Sequence, residues 1–173
     1  LAAQPPRGLV IDLRRNGGGE PSMIQFLCSY FFAERTHLND FEMRGKPGLE
    51  EYWTFDDVPG KRLLDVPIFV LTSSSTFSAA EEFTYDLRNL ERATIVGETT
   101  GGGAHPGDTH DVAGLVRVFI PQGRAINPIT KTNWEGVGVE PHVKVPAEQA
   151  LDTARREAKK AVAERRDGAA VRH

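Results

Sequence analysis

Residues 67–82 read PIFVLTSSSTFSAAEE, an apolar run that passes through a serine-rich bend into a segment of helix-forming residues. The apolar run predicts a buried β-strand over residues 67–72. A serine at such a junction projects beyond the edge of the sheet, close to the unpaired N–H groups at the start of the helix. That arrangement suits a nucleophile whose attack on a carbonyl leaves an oxyanion to be stabilised. A purely structural interpretation also fits, in which Ser75 or Thr76 caps the helix.

Two glycine-rich loops follow other apolar runs. Residues 8–19 read GLVIDLRRNGGG and predict a buried parallel-type strand near residues 8–13 that ends in three glycines. Residues 93–104 read ATIVGETTGGGA and repeat that design, with a strand near residues 93–97. Loops after parallel strands gather at one edge of a sheet, where open α/β sheets usually hold their active sites. The glycines could donate N–H groups to an oxyanion or simply form tight turns, and no Gly-Lys-Ser/Thr sequence supports a nucleotide site.

Other periodic segments complete a predicted α/β fold. Amphipathic patterns predict a helix over about residues 21–32 and a terminal helix over about residues 146–166. Alternation in residues 37–43 and 52–55 predicts a hairpin against the main sheet, whose aromatic residues we expect to cover apolar surface instead of lining a substrate groove. The turn-rich connection over residues 123–141 is expected to end in a short apolar strand.

Length and composition fit one domain of this kind. The chain has 173 residues, of which 39% are hydrophobic, and it does not begin with methionine, so we expect a fragment of a larger protein. Residues 1–146 would form a single α/β subdomain, and residues 147–173 a C-terminal amphipathic helix and tail. The net charge of −3 gives no reason to expect nucleic acid, and no apolar run is long enough to predict a membrane span. Cys28 is the single cysteine, which excludes an internal disulfide and leaves the compartment open.

Four segments in this order resemble the catalytic core of the tail-specific or C-terminal processing serine peptidases: DLRRNGGG, TFSAAEEF, GETTGGGA and NWEGVGVEP. The branch they most resemble holds the tricorn-like proteases and the repeats of interphotoreceptor retinoid-binding protein. The resemblance covers about residues 8–150. It implies an α/β fold of the ClpP/crotonase-like kind, with flanking helices and additional short strands after Gly107. It also implies a serine endopeptidase that acts on peptides or proteins without a cofactor.

The same resemblance assigns roles to residues at the rim, the edge of the predicted sheet where the serine-rich bend and the two glycine loops gather. The family nucleophile is the serine before Ala-x-Glu, which is Ser78 in this chain. The oxyanion hole falls on the amide of Ser78 or Ala79 together with an amide of the first glycine loop, best assigned to Gly18. Further candidate lining residues lie in the two glycine loops and just after the second: Gly17, Gly19, Gly102, Gly103 and His105.

The general base divides the family into two branches. One branch uses a lysine in the second glycine loop, where this chain has Gly103. The tricorn-like branch uses a histidine supported by a glutamate that matches Glu135, and that histidine belongs to an N-terminal part of the core that this chain does not contain. We therefore expect an absent region to supply the base and the isolated fragment to be nearly inert. His105 is the alternative base within this chain, although loop histidines are often structural.

Two other functions remain open from the sequence. One is a non-catalytic module that binds a retinoid or another apolar ligand, against which the presence of both Ser78 and Glu135 favours the enzyme. The other is an esterase or amidase of small substrates. No histidine pair has zinc-ligand spacing with nearby cysteines, so no metal site is predicted. The substrate, an upstream peptide-binding domain, the oligomeric state and the compartment, cytoplasmic or extracytoplasmic, are left undetermined.

Overall fold

A computed structural model describes residues 6–170. Its elements in chain order are β1 (Leu9–Asp12), α1 (Pro21–Cys28), β2 (His37–Met43), β3 (Leu49–Trp53), β4 (Ile68–Thr72), α2 (Ala79–Asn89), β5 (Thr94–Gly97), β6 (Gly107–Val112), β7 (Val116–Pro121), β8 (Gly123–Ile126), β9 (Val143–Lys144) and α3 (Ala147–Ala170). The three strands predicted from apolar runs are β1, β4 and β5. The predicted α/β class is therefore confirmed.

The central sheet is parallel and has the strand order β1-β4-β5-β9. Every residue of β4 is buried, because both faces of this strand are covered. Alternate residues point to opposite faces of a strand. Ile68 and Val70 belong to the core with α1 and α2, whereas Phe69 and Leu71 pack with Ala150 of α3. Two-sided burial explains why β4 is a continuous apolar run.

The remaining strands form two smaller antiparallel sheets. β2 lies between β3 and β8, and β6 pairs with β7 in a hairpin. The hairpin predicted from residues 37–55 exists as β2 and β3, and β2 also pairs with β8 in a sheet separate from the central one. The strand predicted near residue 139 is also absent from the described chain. Gly136 and Gly138 have φ of 70° and 72°, which turns the backbone there.

The helices differ from prediction mainly at their ends. α1 ends at Cys28, four residues before the predicted boundary, because Phe31 N donates to Cys28 O in a turn that replaces the helical pattern. α3 starts at the predicted position and extends further than expected. The boundary proposed at residue 146 coincides with its start, and the division into two units stays a prediction. Within residues 6–170 no helix combines the length and the apolar character that crossing a bilayer requires.

One buried acidic pair lies in the core on α2. Glu82 and Asp86 are one helical turn apart, and both are buried. Burial raises the pKa of Glu82 to about 8, and burial together with Glu82 raises the pKa of Asp86 well above its usual range. Asn39 of β2 and Cys28 of α1 are also buried, and burial, followed by the nearby Asp86 and Glu82, raises the pKa of the Cys28 thiol. The pair is therefore held in a low-dielectric environment that disfavours its charge.

The stability of the core predicts a contrast between two leucines. Leu87 is fully buried on α2, whereas Leu115 at the tip of the β6–β7 hairpin is 85% exposed. Leu87→Ala should lower the free energy of unfolding by about 2–5 kcal/mol, since it leaves a cavity. Leu115→Ala should change it by less than about 0.5 kcal/mol. Urea unfolding of both variants measures the difference, and equal losses would contradict the burial assigned here.

The buried pair also predicts a pH dependence. The pKa of Glu82 is raised from 4.5 to about 8 in the folded protein, so the folded state keeps a proton that the unfolded chain releases between those values. The free energy of unfolding should therefore fall as pH rises from about 4.5 to about 8, by up to about 1.4 kcal/mol per pH unit. Urea unfolding across this range should give a flatter profile for Glu82→Gln, and the exposed Glu164→Gln serves as the control. Parallel profiles for all three proteins would refute the assignment.

Candidate active site

Three loops meet at the carboxyl edge of the central sheet, following β1, β4 and β5. Backbone hydrogen bonds tie the serine-rich bend after β4 to the loops on either side. Phe77 N donates to Asn16 O at 3.0 Å, and Gly101 N donates to Thr76 O at 2.9 Å. The bend therefore lies between the two glycine loops, in the arrangement expected where parallel strands end together.

Ser78 is the N-cap residue of α2 and has an unusual backbone conformation. Its φ is 54° and its ψ is −126°, a combination that non-glycine residues rarely adopt. Such a conformation costs about 1–3 kcal/mol and recurs at functional sites. A strand–turn–helix elbow imposes the same kind of strain on the nucleophile that it exposes. The Ser78 side chain is half-buried and makes no capping hydrogen bond.

The alternative in which Ser75 or Thr76 caps the helix is wrong, because α2 begins at Ala79. Thr76 is fully buried before the helix starts. Its hydroxyl donates to Leu13 O at 2.8 Å and accepts from Ser73 N at 3.0 Å. Thr76 therefore fixes the bend to the end of β1.

The amides at the start of α2 differ in what they bind. Ser78 N donates to Glu81 Oε2 at 2.8 Å. Ala79 N donates to no group within residues 6–170. The first free amide of the helix, where the positive end of the helix dipole lies, is therefore that of Ala79.

The first glycine loop touches Ser78 directly. Gly18 has φ of 115°, and a Cβ added to it would lie 2.7 Å from Ser78 Cβ and 3.1 Å from Ser78 Oγ. Its amide donates to Asn16 Oδ1 at 2.9 Å. A Cβ on Gly17 or Gly19 would meet nothing within 4 Å, and their amides donate to no group in the described chain. Glycine is thus required at position 18, and its amide already has an acceptor.

Glu81 is the site residue that sequence reasoning missed. The sequence assigns it no role, yet its carboxylate is fully buried. Besides Ser78 N, it accepts hydrogen bonds from Thr100 Oγ1, from Gly102 N at 2.7 Å and from Gly103 N at 2.8 Å. The Ser-x-x-Glu spacing of a capping box is the signal that could have identified it.

The second glycine loop therefore directs two amides toward Glu81. It also lies against the Phe77 ring, since a Cβ on Gly103 would approach that ring to 2.2 Å. The carbonyl of Gly103 accepts from Trp134 Nε1 at 2.9 Å. Gly102 and Gly103 thus serve close packing beside the bend, and their direct role toward a substrate stays a prediction.

Glu135 lies on the other side of this loop. Its Oε2 accepts from Ala104 N at 2.6 Å, and its Oε1 is 3.8 Å from His105 Nδ1. Both side chains are about one-third to two-fifths exposed. The structure thus brings the predicted glutamate and the substitute histidine together, next to the loop whose amides reach Glu81. No contact joins His105 to Ser78 among the described hydrogen bonds.

The other described histidines have different surroundings. His37 Nε2 is 2.7 Å from Asp40 Oδ1, and its ring stacks on Trp53. His142 Nδ1 accepts from Ile95 N at 2.9 Å, and burial lowers the pKa of this imidazole. Both have structural roles outside the rim. Residues 6–170 contain no group of three or more His, Cys, Asp or Glu side chains arranged to hold a metal ion.

An open cleft of about 1160 Å³ runs beside the first glycine loop. Its lining is mostly polar or charged and comes from the ends of β1, β4 and β5 and the start of α3: Asp12, Arg14, Arg15, Asn16, Gly17, Ser73, Ser74, Ser75, Glu98, Ala147 and Glu148. Hydrogen-bonding groups therefore dominate the walls of this cleft. Such walls suit a polar chain better than an apolar ring system.

Comparison with known proteins identifies relatives of the sequence. The model of the family described as Peptidase family S41 matches residues 1–145. The carboxyl-terminal-processing protease of Synechocystis is 31% identical over 102 residues, which cover 59% of this chain and 22% of that protein. The chain therefore spans about a fifth of the length of this curated relative.

Solved structures share the fold. The photosystem II D1 C-terminal processing protease has a TM-score of 0.66 and 25% identity, and the match covers 82% of this chain and 35% of that one. Mature CPAF complexed with lactacystin has a TM-score of 0.76 and 16% identity, with 91% and 45% covered. The tricorn protease has a TM-score of 0.55 and 18% identity, with 92% and 15% covered. These likenesses confirm the predicted ClpP/crotonase-like fold.

The contact between the first glycine loop and Ser78 predicts a contrast between neighbouring glycines. Gly18→Ala adds a methyl group at a positive φ and against Ser78, so it should lower the free energy of unfolding by about 1–3 kcal/mol. Gly17→Ala adds the same methyl group into open space and should leave the protein equally stable or slightly more stable. Urea unfolding of both variants tests this, and equal destabilisation would argue against the observed approach.

Proposed function

Because the chain belongs to peptidase family S41, we propose that it carries the acyl-transfer part of a serine endopeptidase that acts on peptide or protein substrates. One observation supports this above the others. Ser78 has a strained backbone at the rim of the sheet, next to the free Ala79 amide at the start of α2. A serine that only capped the helix would gain nothing from the strain.

In the proposed reaction, Ser78 Oγ attacks the scissile carbonyl and forms the acyl-enzyme bond. Its proton passes to the imidazole of a histidine from the absent N-terminal part of the core, and then to the leaving amine. Water hydrolyses the acyl-enzyme in a second step that uses the same base. The region that this chain contains supplies the nucleophile, the oxyanion donors and the orienting carboxylate.

The proposed oxyanion hole combines an amide of α2 with an amide of the first glycine loop. Ala79 N is a free donor at the helix start, whereas Ser78 N is occupied by Glu81. In the glycine loop, Gly18 touches Ser78, and its amide can serve the oxyanion by exchanging Asn16 Oδ1 for it. One such donor contributes about 3 kcal/mol to lowering the barrier.

Glu135 is the proposed partner of the catalytic imidazole. Ala104 N holds Oε2 at 2.6 Å, so the carboxylate is fixed by one oxygen while Oε1 faces His105. A carboxylate fixed in this way can hold an imidazole in one tautomer and orientation. We assign the base to the absent histidine. Its imidazole would bind Glu135 Oε1 either in place of His105 or beside it.

Two alternatives weigh less than the peptidase. A retinoid or other apolar ligand would need apolar walls, and the cleft beside the first glycine loop is lined mainly by polar and charged groups. An esterase or amidase would use the same serine and oxyanion donors, so it differs only in the acyl group accepted.

A fluorophosphonate probe tests the nucleophile in the full-length protein. Ser78→Ala should abolish covalent labelling, because the attacking oxygen is gone. Ser22→Ala, at an exposed position of α1, is the matched control and should label like the wild type. Undiminished labelling of Ser78→Ala would remove the hydrolase proposal. Tight retinol binding by a wild-type protein that does not label would support the apolar-ligand alternative.

A further inference from the structure

We propose that Glu81 is a positioning residue of this acyl-transfer site, which fixes the conformation of Ser78 and leaves the Ala79 amide, instead of the Ser78 amide, for the oxyanion. This inference rests on the proposed function of Ser78. It concerns a side chain that has no part in the bond-making steps. Glu81 acts only through the groups that it holds.

The contacts of Glu81 exceed those of a helix cap. A capping box pairs the N-cap side chain with the N3 amide and the N3 glutamate with the N-cap amide, so it asks only one hydrogen bond of the glutamate, which Ser78 N provides at 2.8 Å. Gly103 N donates to the same oxygen, Oε2, at 2.8 Å, while Gly102 N and Thr100 Oγ1 donate to Oε1. Two carboxylate oxygens offer about four acceptor sites, and all of them are used.

The burial of Glu81 makes these four bonds necessary. The side chain is fully buried, and an ionised carboxylate without partners in such surroundings is strongly destabilising. Four donors replace its lost hydration. Glutamine at this position keeps one acceptor oxygen and presents an NH2 group in place of the other, so the donors to one of the two oxygens lose their acceptor, which costs about 1–3 kcal/mol for each group that stays buried.

The bond from Ser78 N decides which amide faces a substrate. A donor that is already directed at Oε2 cannot also be directed at a tetrahedral oxyanion. The next amide, that of Ala79, has no acceptor within residues 6–170. Glu81 thus holds Ser78 at its strained φ of 54° and assigns the oxyanion contact to its neighbour.

Glu81 also links the nucleophile to the orienting carboxylate. The loop that it holds continues into Ala104, whose amide binds Glu135 at 2.6 Å. Gly136 N, beside Glu135, donates back to Gly102 O at 2.9 Å. One loop therefore has its amides divided between the two carboxylates. Moving the Glu81 end of the loop would displace Ser78 and Glu135 relative to each other.

The adjacent residue Glu82 provides a matched control. It is buried on the same helical turn, but it faces the core toward Asp86 and has no hydrogen bond to the bend or to either glycine loop. Its pKa is raised to about 8 by burial, so at neutral pH glutamine replaces a neutral acid of the same shape. Glu82→Gln therefore makes the same side-chain replacement one position along the helix without touching the site.

The first experiment measures turnover of a peptide substrate by the full-length protein at neutral pH. Glu81→Gln should lower kcat by about 10²-fold, because a small misplacement of the reacting groups has an effect of that size. KM should change by less than about threefold, since the substrate is not contacted. Glu82→Gln should match the wild type in both. A rise in KM with kcat unchanged, or equal effects of both variants on kcat, would overturn the proposal.

The second experiment does not depend on activity and therefore separates the two proposals. Amide hydrogen exchange should show the Ser78, Gly102 and Gly103 amides protected in the wild type and in Glu82→Gln. Protection should fall at least about tenfold at one or more of these three positions in Glu81→Gln, because the NH2 group of glutamine cannot accept from the amides whose oxygen it replaces. Unchanged protection in Glu81→Gln would refute the positioning role even if Ser78 is the nucleophile. If Glu81→Gln loses protection but Ser78 does not react with the fluorophosphonate probe, only the peptidase proposal is refuted.

A second variant, which keeps the Glu81 carboxylate, tests the proposal in the case that Glu81→Gln does not fold. Thr100→Val removes one donor to Glu81 and the acceptor of Val139 N while preserving shape. It should reduce kcat and the protection of Gly102 in the same direction, by a smaller factor. If Thr100→Val leaves both quantities at wild-type values, the network has no influence on Ser78 and the proposal fails.

Discussion

The left-handed backbone of Ser78 is the constraint on which the rest of the site depends. A strain of about 1–3 kcal/mol persists only where the surroundings over-determine the conformation. Three contacts do so: Phe77 N binds Asn16 O before the serine, Gly18 approaches its side chain, and Glu81 holds its amide. Each contact comes from a different segment, so the conformation exists only once β1, β4 and β5 are side by side.

Two adjacent carboxylates show how environment separates the roles of like residues. Glu81 and Glu82 are both buried at the start of α2. Glu81 is surrounded by four donors that stabilise its charge, whereas burial without such donors raises the pKa of Glu82 to about 8. The helix turns one toward the rim and the other toward the core. The rim thus carries a carboxylate with four hydrogen bonds beside Ser78, while the core holds a carboxyl group whose pKa is raised by burial.

Sequence patterns located the strands well and the polar network poorly. β4 was recognisable because both of its faces are buried and four of its five residues are apolar. β1 and β5 were recognisable as shorter apolar runs followed by glycine loops, although β1 is half-buried and ends at the exposed Asp12. The four ordered motifs pointed to Ser78 as the candidate nucleophile, and this residue is the N-cap of α2 in the structure, while its catalytic role stays a prediction. Glu81 was missed because its partners are about twenty residues further along the chain, beyond any local periodicity. The strand expected near residue 139 failed because positive φ at Gly136 and Gly138 turns the chain, a feature that apolar residues do not reveal.

The division of labour within the proposed enzyme follows from where the hydrogen bonds lie. The groups that hold Ser78, Ala79 and Glu135 in place lie in α2 and in loops between residues 13 and 139, so their geometry does not require a base to be present. A histidine supplied from outside these loops needs only to meet an exposed carboxylate oxygen and a half-buried hydroxyl. Because the proposed oxyanion donors are held by these residues, their geometry is the same whether or not the base is bound beside Ser78. In the proposed reaction, the described residues therefore supply the electrostatic stabilisation, and the separate histidine supplies the proton transfer.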